Sequence, residues 1–391
     1  MDASYMLKDK GRFGMIALGV GIAGAALSAV GAFVDSSRFF LSYQVAFVYW
    51  VTLALGGLFF TMLQHATGAV WSVVVRRGSE ALAMTLPLLF VFFLPMIGGI
   101  HSLFHWSHAD AVAQNAALQG KAGYLNTGFF IGRAVLYFAV WTVLAWLLNK
   151  HSKAQDSTGA ASHSVSLRNI SAGGLFLFAF TLTFAAVDWL MSLDPHWYST
   201  IFGVYVFVGG FLASIAFLIV FYLRLRDRGV LTDAVGMEHF HDFGRLLFAF
   251  TVFWAYIGGS QYFLIWYANI PEETVWYLNR WDASSWRMVS ILLIALHFAV
   301  PFITLAFYAA KRNLSVLRIM ALLLLVMHYV DMYWLVMPSH AKDGVHVSWM
   351  DVTTMMAIGG FVLWFFHERF AKSSLLPLQD PKLQDSIAHR V

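Results

Sequence analysis

Six ionisable side chains of this sequence lie within, or at the ends of, apolar stretches long enough to cross a membrane. When each is placed by the rise of about 1.5 Å per residue of an α-helix, the six form a series in depth. From the inner to the outer side of the membrane, the series is His65, Glu80, His297, His328, Asp331 and Asp188. Histidine and carboxylate side chains can pass protons to one another.

A charged side chain at the centre of a membrane costs about 2.5–3.5 kcal/mol on translocon scales, so each of these residues needs a partner, a cavity or a proton path. We predict that the six residues form a path for protons. The alternative is that each makes an ordinary hydrogen bond between helices or at the headgroup boundary. His328 and Asp331 are three residues apart, so they are expected to share one helix face.

The connection between the fifth and sixth apolar stretches holds a second concentration of polar side chains. The run VDWLMSLDPHWYSTIFGVYVFVGG covers Val187–Gly210. Within it, Pro195 ends the first helix, and the Trp and Tyr side chains suit the outer membrane boundary. A turn this rich in carboxylate, imidazole and aromatic groups is interpreted as a contact site, with a tight interfacial corner as the alternative.

Three histidines follow the third apolar stretch at spacings of four and three residues, namely His101, His105 and His108. On a continuous helix they would share a face and could bind a metal ion. The neighbouring Trp and the position at the membrane boundary favour an interfacial role, so no metal site is predicted. His297 and His328 are the only pair deep enough to bind a haem b, and this interpretation is the weaker one.

The composition decides the class of protein. Of the 391 residues, 60% are hydrophobic and 12% are charged, whereas a soluble domain has about 45–50% apolar and about 25% charged residues. This excludes a soluble enzyme. The absence of cysteine excludes disulfides, thiolate-bound iron–sulfur clusters, covalent haem attachment and a Cys nucleophile. The net charge of +4 indicates basic loops that face the cytoplasm, not nucleic-acid binding.

Ten continuous apolar stretches predict ten transmembrane helices, because the strands of a membrane β-barrel would alternate in polarity. The stretches are Phe13–Val34, Tyr43–Leu63, Ala81–Ile100, Gly128–Leu148, Gly173–Met191, Ile201–Leu223, Leu246–Tyr267, Met288–Ala310, Leu314–Met337 and Met350–Phe366. With a cytoplasmic N-terminus, 19 of the 25 basic residues lie on the inner side, which predicts that both termini are cytoplasmic. The predicted fold class is therefore an all-α integral membrane protein.

The predicted organisation is one membrane domain, residues 1–370, followed by a cytoplasmic tail, residues 371–391. The polar segment Asn149–Ala172 predicts a flexible inner loop, and the tail is interpreted as an extended docking strip for a neighbouring subunit. The first stretch is longer than a signal-peptide core and is expected to be retained. Its run GVGIAG, Gly19–Gly24, follows no strand and is therefore not a nucleotide site; these small residues are predicted to let another helix approach closely.

Several long runs carry a resemblance to a known family. Besides the run at Val187–Gly210, they are LLFAFTVFWAYIGGSQYFLIWYANIPEET at Leu246–Thr274, HYVDMYWLVMP at His328–Pro338, LQHATGAVWSVVVRR at Leu63–Arg77 and GGIHSLFHWSH at Gly98–His108. With these runs the sequence resembles, over nearly its whole length, the ActF subunits of bacterial alternative complex III. Those subunits are themselves similar to the NrfD or polysulfide-reductase type of membrane subunit.

The resemblance implies two four-helix bundles, formed by spans two to five and six to nine, with the first and last spans flanking them. It implies a subunit of a respiratory quinol:cytochrome c oxidoreductase in the bacterial inner membrane, which supplies assembly contacts and a path for proton translocation. Haem c and iron–sulfur clusters would lie in partner subunits, and the chain itself would bind no cofactor unless it binds menaquinone or another quinone. The implied partners are a multihaem cytochrome c, an iron–sulfur subunit, an ActC-like membrane subunit and membrane lipids.

Two further functions are alternatives. In the first, the chain is a quinol-binding subunit whose pocket lies at the outer leaflet, where a quinol could release protons outward. That pocket would be formed by His101, Asp188, Asp194 and His196. In the second, the chain is a secondary transporter that acts alone, which would require broken helices around a site at mid-membrane. The Pro and Gly pattern does not single out such a pair of helices.

Overall fold

The computed structural model describes residues 5, 7 and 11–389, and in this part of the chain it contains no β-strand. Ten of its helices are long and apolar enough to cross a membrane, so the chain is an all-α, multi-pass membrane protein, as predicted. In chain order, α1 to α10 are Phe13–Val34, Ser36–Thr67, Val73–Gly98, Thr127–Thr158, Ala161–Leu193, Phe202–Asp227, Met237–Ala268, Ser285–Ala306, Leu314–Ser339 and Trp349–Ala371. Three basic residues assigned to the inner side, Lys8, Lys10 and Arg390, lie outside the described residues.

Helix α2 lies at the centre of the molecule. It packs against α3 and α5 on one side and against α6, α9 and α10 on the other. Helix α4 pairs with α5, while α6, α7, α8 and α9 pack around one another as a second group. Helix α1 packs mainly along α10. Because α2 is enclosed on both sides, the interior of each helix group is lined partly by α2 side chains.

Glycines hold α2 against α6. A Cβ added at Gly56 would lie 2.7 Å from the carbonyl oxygen of Gly210, and one added at Gly210 would lie 2.8 Å from the Cβ of Thr52. Any larger residue would therefore force the two helices apart. Their close approach places Thr52 of α2 against the interior of the second helix group.

The small residues predicted to bring another helix close to α1 do so at two of the three glycines. A Cβ at Gly21 would lie 2.9 Å from the backbone nitrogen of Phe361, and one at Gly24 would overlap the backbone nitrogen of Ala357. Both contacts are with α10. At Gly19, however, the space is open, so the prediction is confirmed for Gly21 and Gly24 and is wrong for Gly19.

The segment Asn149–Ala172 is not a flexible loop, and that prediction is wrong. Helix α4 continues to Thr158 and α5 begins at Ala161, with Gly159 at the turn in the left-handed conformation, φ +64°. A hydrogen bond between the two helices, from the amide of Gln155 to the hydroxyl of Ser164 at 2.7 Å, supports their extension, and composition does not reveal it.

The tail is not extended either. It folds back over the inner ends of the helices of its own chain: the hydroxyl of Ser386 donates to the carbonyl oxygen of Trp71 at 3.0 Å, and Arg76 forms an ion pair with Asp380 at 2.7 Å. The prediction of an extended tail is therefore wrong, because several of its polar side chains bind other parts of the same chain. Its docking to a neighbouring subunit stays a prediction.

Candidate functional site

A fully buried carboxyl group lies in the interior of the second helix group. Asp331 of α9 accepts a hydrogen bond from the hydroxyl of Tyr205 at 2.6 Å and another from the indole N–H of Trp254 at 3.1 Å. Within the described ranges, no Lys or Arg side chain lies within ion-pair distance of Asp331. Because burial of an unpaired charge is costly, this carboxyl group is suited to hold a proton reversibly.

His297 lies beside the same Trp on a distorted part of α8. Residues Leu293–Ala299 form a π-helix. Pro301 has no amide N–H to donate to the carbonyl of His297 four residues earlier, which favours such a widened turn. The imidazole packs on Trp254 with ring centroids 4.1 Å apart, and it is fully buried. Neither ring nitrogen has a hydrogen-bond partner among the described residues, so both can take part in proton exchange.

His328 and Asp331 face one common point, as their spacing predicted. A Cβ added at Gly209 would lie 3.6 Å from Nδ1 of His328 and 3.6 Å from Oδ2 of Asp331. The other ring nitrogen of His328 lies 2.9 Å from the hydroxyl of Thr52 on α2. The structure therefore brings together three of the six residues predicted for the proton path; we call His297, His328 and Asp331 the central cluster.

Glu80 lies in a separate charged group at the inner ends of α3 and α4. Its carboxylate accepts hydrogen bonds from Arg77 at 2.7 Å, from Arg76 at 3.3 Å and from the hydroxyl of Ser152 at 2.7 Å. His65 is buried within electrostatic range of the same two arginines. No hydrogen bond or ion pair in the described part of the chain joins these two residues to the central cluster.

Asp188 lies on α5 and is held by an ion pair. It belongs to the first helix group, which α2, α3, α4 and α5 form. Arg133 of α4 donates from Nε and Nη2 to the two carboxylate oxygens at 2.8 Å each, and the hydroxyl of Tyr137 donates to one of them at 2.8 Å. This ion pair was not predicted from the sequence. The signal was present, because Arg133 and Asp188 each lie close to the outer end of their helix. The geometry favours a structural role for Asp188.

No hydrogen bond or ion pair among the described residues joins any two of the four residues of the predicted outer quinol pocket, which are His101, Asp188, Asp194 and His196. The ring of His101 lies 3.1 Å from the hydroxyl of Ser107, and the ring of His196 lies 3.3 Å from the amide of Asn115. Both rings are exposed, whereas the Asp188 carboxylate is enclosed. The carboxylate of Asp194 acts on the second helix group, since its charge influences Arg280. The three histidines His101, His105 and His108 do not share one helical face, because the helix that contains His101 ends at Leu103.

A cavity of about 560 Å³ instead lies in the outer half of the second helix group, between α7, α8 and the segment that joins them. Aromatic side chains form most of its wall, and Gln261 and Ser290 add polar groups. At its inner end lie Tyr205 and Trp254, the two donors to Asp331. This cavity was not predicted from the sequence, although the Trp and Tyr residues around Gln261 in the run Leu246–Thr274 were a signal for it. We call it the outer cavity.

Arg280 closes the outer cavity toward the membrane surface. Its guanidinium lies 3.5 Å from the ring centroid of Trp276 and donates to the carbonyl oxygens of Trp334 at 3.1 Å and Leu335 at 3.0 Å. Burial lowers the pKa of Arg280 to about 9, while Asp194 acts to raise it. The group therefore stays charged at neutral pH and ties the segment between α7 and α8 to the outer end of α9.

No protein-family model matches this sequence, and no curated protein matches it. The fold and the central cluster therefore define the class of protein on their own. It is an all-α membrane protein with ten spanning helices in its described part, and its second helix group encloses a carboxyl group and two imidazoles beside a cavity.

Proposed function

We propose that the chain is an NrfD-type membrane subunit of a respiratory quinol:cytochrome c oxidoreductase of the alternative complex III class, in the bacterial inner membrane. Its role is to supply assembly contacts and to move protons. The runs that carry the family resemblance also supply the central cluster: HYVDMYWLVMP contains His328 and Asp331, and the run Leu246–Thr274 contains Trp254. Because the chain has no cysteine, haem c and iron–sulfur clusters are assigned to partner subunits.

The observation that carries the proton-transfer role is the buried Asp331. A structural hydrogen-bond acceptor at this position could be an amide, which avoids the cost of placing an ionisable group in the membrane. The hydrogen bonds from Tyr205 and Trp254 favour the carboxylate, whereas burial without a cationic partner favours the neutral acid. Because these two effects oppose each other, the group is suited to exchange a proton. Two buried imidazoles next to it extend the set of groups that can exchange protons.

The proposed route begins at the outer cavity. Tyr205 lines that cavity and donates its hydroxyl hydrogen to Asp331, so a single hydrogen bond connects the cavity with the carboxyl group. From Asp331 the route passes to His328 and His297. The proposal places His65 and Glu80 at its inner end, where the protons would enter or leave on the cytoplasmic side.

The class of complex is tested by purification of the chain from its native membrane in mild detergent. We expect a multihaem cytochrome c, an iron–sulfur subunit and a second membrane subunit of similar size to remain bound. Haem c absorbance in the purified fraction and mass spectrometry of its subunits would report them. Isolation of the chain as a functional single-subunit transporter would contradict the proposal.

A second candidate function is quinol binding, and the outer cavity favours it. Its volume of about 560 Å³ lies in the range of about 300–1,000 Å³ that is usual for small-molecule sites. Aromatic walls suit a quinone ring, and Gln261 and Ser290 offer polar contacts. A quinol bound there would lie one Tyr hydroxyl away from Asp331, so its oxidation could release protons into the proposed route.

Photolabelling of the assembled complex distinguishes the two possible quinol sites. We expect a photoreactive quinone to label peptides of α7 and α8 around Tyr262, because their side chains face the outer cavity. The control peptide contains His101, which does not line the outer cavity. Peptides around His196 are no control, because Ser199 of that segment donates to Gln261 of the cavity wall at 2.9 Å. Labelling at His101 in place of α7 and α8, or no labelling that excess quinone competes away, would rule out the outer cavity as a quinol site.

A further inference from the structure

A second cavity lies on the opposite side of the membrane, at the inner ends of α7 and α8, and the proposed function makes no use of it. Its volume is about 740 Å³. The polar part of its wall is formed by His241, Asp242, Arg245, Tyr308 and Lys311. We call it the inner cavity. Both cations and the imidazole lie on the side that carries most of the basic residues of the chain.

The carboxylate in the wall of the inner cavity already has partners. Asp242 forms an ion pair with Arg245 at 3.2 Å through one oxygen and lies 2.8 Å from Nε2 of His389 through the other. Two cationic side chains, Arg245 and Lys311, therefore face the cavity against one carboxylate that is engaged on both sides. The remaining positive charge favours an anionic ligand.

Lys311 is a buried ammonium without an anionic partner in the described part of the chain. Its Nζ donates to the backbone carbonyl oxygens of Leu305 at 2.6 Å and Ala306 at 3.2 Å. Burial lowers the pKa of Lys311, and the charge of Arg245 lowers it further. An anion placed between the two cations would relieve this repulsion.

His241 is an independent indication that the inner cavity is a binding site. Its side chain is only 4% exposed, yet neither ring nitrogen has a hydrogen-bond partner among the described residues. The ring packs against Tyr308 with centroids 4.9 Å apart. Because buried polar groups are almost always hydrogen-bonded, a wall that contains such an imidazole is suited to a ligand that can supply an acceptor.

The inner cavity continues into the membrane along an apolar surface. Leu246, Phe248 and Ala249 line it on α7, and Ala249 lies about 12 Å along the helix from His241. Phe248 stacks on Phe302 of α8 with centroids 5.6 Å apart. A cationic end at the headgroup level and an apolar end within the membrane match the two halves of one lipid molecule.

We propose that the inner cavity binds an anionic phospholipid of the inner leaflet. The phosphodiester lies between Arg245 and Lys311 and accepts a hydrogen bond from His241, and an acyl chain lies along Phe248. Basic pockets between helices on the cytoplasmic side are a known means of lipid recognition. The apolar extension favours a lipid over free phosphate, which would fill only the cationic end. This inference does not depend on the proposed function.

Native mass spectrometry of the full-length chain in detergent tests the site, with phosphatidylglycerol and phosphatidylcholine of identical acyl chains as probes. We expect preferential retention of phosphatidylglycerol. Arg245→Gln should weaken that binding about five-fold, because one cation near the surface contributes about 1 kcal/mol. Lys311→Gln should weaken it further. The matched control is Arg318→Gln. Arg318 is an exposed cation at the inner end of α9, and it forms an ion pair with Asp227 at 2.7 Å. It does not line the inner cavity.

The side chain of Arg245 is largely exposed, so its substitution keeps the test valid even where Lys311→Gln does not fold. Equal affinity for the two lipids, or an unchanged phosphatidylglycerol affinity in Arg245→Gln, would overturn the proposal. Displacement of bound phosphatidylglycerol by millimolar inorganic phosphate would also overturn it, since it would identify a site for a free anion. Failure of the lipid test leaves the proton-transfer role untouched, because the two sites share no residue.

Discussion

Asp331→Asn in the assembled complex is expected to reduce proton uptake by proteoliposomes about 100-fold or more, while quinol oxidation continues. The amide keeps the size of the carboxyl group. Its oxygen can still accept the hydrogen bond from Trp254, and its NH2 group can donate to the hydroxyl of Tyr205, which can act as an acceptor. The amide cannot take up and release a proton. The variant therefore separates the two roles of the residue, because packing is retained and proton exchange is lost. Proton uptake would be followed with a pH-sensitive dye and quinol oxidation by its absorbance.

Two tyrosines of α6 provide a matched pair of controls. Tyr205→Phe removes the hydroxyl that joins the outer cavity to Asp331, so we expect a partial loss of proton uptake. Tyr222→Phe removes a hydroxyl that donates to the carbonyl oxygen of Val75 at 2.8 Å near the inner end of the same helix, and proton uptake should be unchanged. His297→Ala is expected to act in the same direction as Asp331→Asn. Unaltered proton movement in both Asp331→Asn and His297→Ala would remove the central cluster from the mechanism.

The depth of each residue of the central cluster in the membrane could be predicted from the sequence. It depends only on where the helix enters the membrane and on how many residues follow that point. A long apolar stretch fixes where a helix enters the membrane, and the rise per residue fixes how deep each side chain lies. This reasoning predicts His297 at the centre of the membrane and His328 and Asp331 further toward the outer side. The same reasoning gave the number of spans in the part of the chain that the structure describes.

The neighbours of each residue could not be predicted in the same way. Depth does not say which helices touch, nor which direction a side chain takes around its helix axis. Tyr205 and Trp254 are ordinary aromatic residues of apolar helices in the sequence, and only the packing of α6 and α7 against α9 makes them donors to Asp331. Equal depth likewise placed Asp188 in the proton series, although it lies in the other helix group.

Local composition also failed where tertiary contacts decide the structure. The segment Asn149–Ala172 is rich in Ser, Ala and Gly, which predicted a flexible loop. The structure continues both helices through it, and the amide of Gln155 donates to the hydroxyl of Ser164 at 2.7 Å across the turn. Alanine favours helix in its own right. The prediction of a loop gave too much weight to the polar residues of this segment and too little to its alanines.

Asp188→Leu is expected to destabilise the protein by about 3–5 kcal/mol, because it leaves the buried guanidinium of Arg133 without its carboxylate. The double variant Arg133→Met with Asp188→Leu replaces the whole ion pair by apolar side chains of similar size. Such a replacement is often neutral or stabilising, so most of the lost stability should return. Thermal unfolding of the purified chain in detergent would measure both effects.

This pair of variants decides whether Asp188 belongs to the proton path. A structural ion pair predicts a large loss of stability in the single variant, its recovery in the double variant and unchanged proton uptake by the assembled double variant. Tyr137→Phe, which removes one hydrogen bond to the same carboxylate, should cost about 1 kcal/mol. The opposite pattern would be normal stability of Asp188→Leu together with lost proton uptake in both variants. That result would show that Asp188 takes part in the proton path. It would require a connection between the two helix groups through α2, which is the helix they share.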